Sequence, residues 1–239
     1  MEPRLSPIRR AESRAGGRAG AWAASALLGL GALLLALGAG HGAALAQSGG
    51  QPGDFDYYVL SLSWQPSWCA AEGDRRGAAT CRPGMERGFT LHGLWPQYLD
   101  GWPEFCARET RDPRRAETAA MADIMGSGGL AWHQWKKHGR CTGLPPERYF
   151  QLSRRAWDQV VRPQVLRDVD RALTVSPDVV EQAFLEANPG LPAEAIGVTC
   201  RDGRIAEVRL CLDRSLKPRA CTGRAARVCS RPARLPPMR

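Results

Sequence analysis

The sequence predicts an α+β domain: a mixed or antiparallel central β-sheet with helices packed on it, stapled by disulfides. Three observations predict it. Strand signals occupy Phe55–Trp64, Gly88–Pro96, Ala195–Thr199 and Ile205–Leu212, helix signals occupy stretches between Arg114 and Asn188, and all eight cysteines lie beyond Ala46. A chain of 239 residues has room for one such domain and a targeting segment.

The targeting segment comes first. Arg4, Arg9, Arg10, Arg14 and Arg18 precede an uncharged run rich in Ala, Leu and Gly, Ala21–Gly40, and Ala44-Leu45-Ala46 has the small residues of a signal-peptidase site. Residues 1–46 read as an export signal with a basic start, the alternative being a retained membrane anchor. Arg9-Arg10 lacks the hydrophobic residues that twin-arginine export expects right after the pair, so the general secretory route and a secreted or periplasmic protein are expected. An even number of cysteines in an exported chain argues for disulfides throughout, in an oxidising compartment.

Residues 47–239 then form a single domain. Gln47–Asp54 is a Gly/Pro linker, its core at residues 50–54. Phe55–Trp64 alternates Leu60, Leu62 and Trp64 against Ser61 and Ser63, the period of a strand with one buried face. Cys69 and Cys81 enclose a loop without periodicity, which a local disulfide would staple. In Gly88–Pro96, regular alternation places Thr90, His92 and Leu94 on one face and Phe89, Leu91 and Trp95 on the other. Gly93 leaves room beside His92 for close approach of a ligand, and Pro96 ends the strand.

Arg114–Met125 reads as a short helix broken by Gly126-Ser127-Gly128-Gly129. Ala131–Cys141, AWHQWKKHGRC, is short enough for three helical turns. There His133, Gln134, Lys137 and His138 fall within an arc of roughly 140°. Gly139 suits the helix end, and Cys141 can pin it. Pro145-Pro146 starts an amphipathic region to about Leu173, interrupted at Pro163, and Ser176-Pro177 begins a helix that Asn188-Pro189-Gly190 closes. Asp202-Gly203 joins the last two strands as a hairpin, and the tail, basic at residues 230–239, has no regular pattern and depends on disulfides for order.

The formal net charge is +9, and from Arg201 onward ten arginines and Lys217 stand against Asp202, Glu207 and Asp213. That end attracts polyanions in a salt-sensitive way. Once the leader is removed with His41, the histidines are His92, on a strand, and His133 and His138, on a facing helix. A strand and a facing helix that carry every remaining histidine are an economical way to assemble an acid–base pair with a cationic anchor, because imidazole titrates near pH 6.5 and one neutral and one protonated ring coexist in mild acid.

At these residues the sequence resembles the ribonuclease T2 family, secreted acid ribonucleases whose signatures are a strand motif HGLWP and a helix motif HEW-x-KHG-x-C. Here they stand as His92-Gly93-Leu94-Trp95-Pro96 and as His133-Gln134-Trp135-Lys136-Lys137-His138-Gly139-Arg140-Cys141. The resemblance runs from about Asp54 to Cys229 and includes the first cysteine loop of bacterial periplasmic members. It implies that His138 is the base for the ribose 2′-hydroxyl, His92 the acid for the departing 5′-oxygen, and His133 a holder of the scissile phosphate. Lys137 would stabilise charge on the phosphorane, a contribution of about 3–4 kcal/mol in comparable sites.

The implied reaction is endonucleolytic cleavage of single-stranded RNA with low base specificity, through 2′,3′-cyclic phosphates to 3′-phosphates. It uses no metal or other cofactor. DNA would be refused for want of a 2′-hydroxyl. The implied protein is a monomer without stable membrane association after processing. Trp95, Gln97 and Tyr98 are the implied substrate-binding residues, Gln97 standing where some relatives have an acidic base-reading residue. The implied disulfides are Cys69–Cys81, Cys106–Cys141, Cys200–Cys229 and Cys211–Cys221. Gln134 departs from the family's glutamate; without its charge to support neighbouring imidazolium forms, a slower enzyme with an optimum at lower pH is expected. Two rivals stand beside this reading: a zinc site from His133, His138, Cys106 and Cys141, and a weakly active or non-catalytic RNA-binding or cytotoxic protein of the same fold.

Overall fold

Tyr57–Trp64 sets the two faces of the sheet. Its even-numbered residues Tyr58, Leu60, Leu62 and Trp64 enter the main core, whereas Tyr57 and Val59 join a small cluster with Cys211 and Ala225 on the other face. That is what period-two alternation delivers when both faces are covered. The computed structural model describes residues 47–226 and 228–238. The expected export signal, residues 1–46, lies outside them.

The strands, in chain order, are β1 (Gln47–Ser48), β2 (Tyr57–Trp64), β3 (Phe89–Gln97), β4 (Pro103–Glu104), β5 (Leu173–Val175), β6 (Ile196–Arg201), β7 (Arg204–Leu212) and β8 (Ala233–Leu235). The α-helices are α1 (Gln65–Trp68), α2 (Arg115–Ala119), α3 (Ala122–Met125), α4 (Gly128–Lys137), α5 (Pro146–Asp158) and α6 (Pro177–Ala187). β3, β2, β7 and β6 pair antiparallel in that spatial order, and the antiparallel pair β8–β5 joins β7 through one parallel contact, Arg204 to Arg234. The sheet is therefore mixed, and the fold α+β. Asp202 and Gly203, both at positive φ (50° and 69°), make the tight β6–β7 turn that Asp-Gly favours.

Three expectations from the sequence need correction. The helix expected over Arg114–Met125 is two short helices, α2 and α3, the second ending at Gly126 with φ 88°. The linker is tied down: β1 pairs in parallel with β4, and the Gly53 amide donates to the Cys141 carbonyl at 2.9 Å. The basic tail contains β8, whose Ala233 and Leu235 are buried, and the Trp64 indole donates to the Pro236 carbonyl at 2.9 Å. A three-residue strand whose partner lies some sixty residues upstream leaves no periodic signal of its own.

Helix α4 is positioned by its buried face. Ser127 caps its start, accepting from the Leu130 amide, and Ala131, Gln134 and Trp135 face inward. Trp135 is fully buried against Tyr149 and Phe150 of α5, and its indole donates to Asp112, which also accepts from Arg140 beyond the helix end. Tyr149 in turn donates to the Leu94 carbonyl at 3.1 Å, tying α5 to the middle of β3. At Gly139 a Cβ would lie 2.6 Å from the Trp135 ring, so only glycine lets the chain turn there.

Candidate active site

The alternation expected in β3 is broken by a β-bulge. Ser61 pairs with Gly93 and Leu62 with Leu91, leaving His92 as the extra residue. Leu91 and Leu94 both enter the core, and His92 and Trp95, expected on opposite faces, emerge together with ring centroids 5.1 Å apart. The same face of β7 carries Glu207, Arg209 and Cys211, across from Ser63, Ser61 and Val59.

Trp95 is the wall between two imidazoles. Its ring stacks on His138 at 5.2 Å, and its indole N–H donates to Gln134 Oε1 at 2.7 Å. Gly93 makes that bond possible, since a Cβ there would collide with both Gln134 Oε1 and Trp95 Nε1. On α4, Gln134 is buried, whereas His133 is exposed and Lys137 half-buried at the cleft rim. His138 ends α4 with φ −122°, so the helix closes immediately before Gly139, where its end was expected, and a 3₁₀ turn, Gly139–Thr142, follows. Disulfide Cys106–Cys141 and the Phe105 amide, donating to the Lys137 carbonyl at 2.8 Å, hold this end against the loop after β3. The other pairs are Cys69–Cys81, Cys200–Cys229 and Cys211–Cys221. With Cys106 and Cys141 bonded to each other, neither supplies the thiolate that the zinc reading needs.

His92, His133, Lys137 and His138 line one cleft of about 480 Å³, together with Arg209 and Arg224. Trp95, Trp102 and Gln97 complete its walls. A second cavity of about 590 Å³ shares His92, Arg209 and Arg224 with the first. Tyr98 does not reach the cleft. It packs against the main core, and burial with Asp54 and Asp56 nearby pushes its phenol up from the ordinary value.

The electrostatics separate the histidines. Burial, reinforced by Lys137, His92 and His133, pushes His138 well below the ordinary imidazole value, and its Nδ1 has no hydrogen-bond partner among the described residues. Partial desolvation, then Lys137, Lys136 and His92, lower His133. His92 instead has Nδ1 2.5 Å from Glu207 Oε1. Burial alone would raise the Glu207 carboxyl, but the His92 hydrogen bond and the His92 and Arg209 charges bring it down to about 2. Lys137 Nζ lies 3.2 Å from Glu104 Oε2.

Glu207, Arg209, Arg224 and Glu104 were not among the residues the sequence singled out. Alternation in β7 marks Glu207 and Arg209 as sharing one face, but only the sheet order shows that His92 emerges there. Glu104 lies in the two-residue strand β4 and Arg224 in a short 3₁₀ turn, Gly223–Ala226, segments too short to leave a local signal.

The family model for ribonuclease T2 matches residues 55–221. A ribonuclease of Aeromonas hydrophila is 42% identical over 107 residues, covering 45% of this chain and 47% of that protein. Ribonuclease I of Escherichia coli K12 is 30% identical over 204 residues, covering 66% of this chain and 74% of that one. The chain spans about half the length of the first curated relatives it matches, 47% and 53%. Among solved structures, RNase NT in complex with 5′-AMP superposes with a TM-score of 0.54 at 23% identity, over 77% of this chain and 99% of that one, a likeness of fold.

Proposed function

The chain belongs to the ribonuclease T2 family, and from that premise we propose that it is an endoribonuclease cleaving single-stranded RNA by transphosphorylation. The observation that carries this reading is the convergence of His92, His133, Lys137 and His138 on one cleft, with Trp95 packed between the first and last.

His138, held neutral by burial in a cationic surround, takes the proton of the ribose 2′-hydroxyl. The freed oxygen attacks phosphorus, and His92, its positive charge compensated by Glu207, gives a proton to the departing 5′-oxygen. Lys137 and His133 meet the phosphoryl oxygens, where negative charge gathers. Water then opens the 2′,3′-cyclic phosphate to a 3′-phosphate with the two imidazoles in exchanged roles. Trp102, on the cleft wall beside the Trp95–His138 stack, offers a stacking face for a base, and the adjoining cavity, sharing His92, Arg209 and Arg224, accommodates the chain beyond the scissile phosphate. Low base specificity fits Gln97, whose amide is bonded to the Pro96 carbonyl. The four disulfides suit a secreted or periplasmic protein. Among the described residues no helix is long and apolar enough to cross a membrane.

Digestion of yeast RNA near pH 5 in EDTA tests the proposal. Cleavage survives chelation in the parent and falls by about 10²–10⁴ in both His92→Ala and His138→Ala. Cleavage abolished by EDTA, or retained in both variants, would overturn it.

A further inference from the structure

Among the described residues no carboxylate lines the cleft: its ionisable walls are His92, His133, Lys137, His138, Arg209 and Arg224. Two acidic groups stand just outside it, Glu104 beside Lys137 and Glu207 behind His92. Glu207 splits its carboxylate, Oε1 bonding His92 Nδ1 at 2.5 Å and Oε2 bonding Arg209 Nη2 at 2.6 Å and Nε at 2.9 Å. Its side chain is only 12% exposed, and Arg209 lies 5.4 Å from the Trp95 ring centre, so the bonds run from β7 to the wall of the cleft.

We propose that Glu207 is the positioning residue of His92: by accepting from Nδ1–H it fixes the ring so that Nε2 alone exchanges a proton with substrate. The inference rests on the ribonuclease reading and deepens it. An imidazole without such a partner divides its proton between two nitrogens and rotates, and only one arrangement is productive. The other groups around His92 cannot substitute. His133, Lys137 and His138, from α4 and its end, and Arg209 and Arg224 have no carboxylate to offer. Glu72, across the second cavity, is bound to Arg76 at 2.5 Å and to Arg201 at 3.3 Å. Glu207 does not touch the reacting atoms; it acts through the ring.

Two readouts test this. In ¹⁵N-histidine-labelled protein, the His92 Nδ1 signal, assigned by comparison with His92→Ala, is that of a protonated nitrogen in the parent; in Glu207→Gln it becomes that of a mixed tautomer. In kinetics, Glu207→Gln lowers kcat/KM by about 10- to 100-fold, mostly in kcat, and moves the alkaline limb of the pH profile to lower pH, while Glu207→Asp recovers part of the rate. A bare Nδ1 in the parent, or a Glu207→Gln profile identical to the parent's, overturns the proposal. If Glu207→Gln does not fold, the parent's ring spectrum decides alone. A protonated Nδ1 in a protein that cleaves no RNA would sink the ribonuclease reading and leave the pairing standing.

Discussion

At Gln134 the amide oxygen accepts the Trp95 indole N–H, and since an indole can only donate, that orientation is fixed. The group beside His138 is thereby neutral, and nothing on α4 offsets the positive charge of Lys137. Gln134→Glu keeps the bond to Trp95 and adds that charge; turnover rises and the pH optimum moves upward, because imidazolium forms gain support. An unchanged pH profile would remove this account of Gln134. Gly93→Ala pushes a methyl group into the Trp95–Gln134 bond, so its activity falls, while Tyr98→Phe, away from the cleft, leaves KM unaltered. The histidines were legible because few histidines sit in two short motifs. Glu207 was not, since one glutamate in a strand means nothing until its neighbour across the sheet is known.

Among the elements, β2 was readable because its alternation is regular and β7 because Asp202-Gly203 marks a hairpin, and β3 was misread where it mattered most. The bulge that takes His92 out of register is invisible to a period-two count, yet it places His92 and Trp95 on one wall. Helix α4 was legible in its chemistry and in its end near Gly139; what a helical arc did not show is that His138 leaves the helix and the 3₁₀ turn aims it inward. That turn is held by Asp112, which an Arg140 hydrogen bond keeps below the usual carboxylate range, and by Cys106–Cys141 across 35 residues. Replacing both cysteines by alanine lowers unfolding stability by about 2–5 kcal/mol in denaturant melts. Cleavage then falls more than the remaining folded fraction accounts for, because the α4 end and the loop after β3 are no longer tied. Activity tracking the folded fraction would show that the cross-link serves stability alone.

For the whole molecule, the tail closes the fold rather than trailing from it. Leu235 is fully buried, and Leu235→Ala removes about 2–5 kcal/mol in the same melts. Acid weakens the fold in two stages. His138 lies well below 6.5 when folded, so the unfolded chain binds that proton first and stability declines as pH drops below about 6.5. The Glu207 value near 2 lies below its ordinary 4.5, so its contribution is whole above about 4.5 and disappears as pH falls toward 2. Melting midpoints recorded from neutral pH downward therefore fall in both windows, and a midpoint constant between about pH 7 and 5 would contradict the burial of a neutral His138. Phosphorus NMR of a dinucleoside monophosphate and its 2′-deoxy analogue, incubated near pH 5 in EDTA, tests the central claim most directly. A 2′,3′-cyclic phosphate appears from the ribose substrate, gives way to a 3′-phosphate, and the deoxy analogue stays intact. A 5′-phosphate product, or cleavage of the deoxy analogue, would contradict the claim that His92, His133, Lys137 and His138 act together on one RNA linkage.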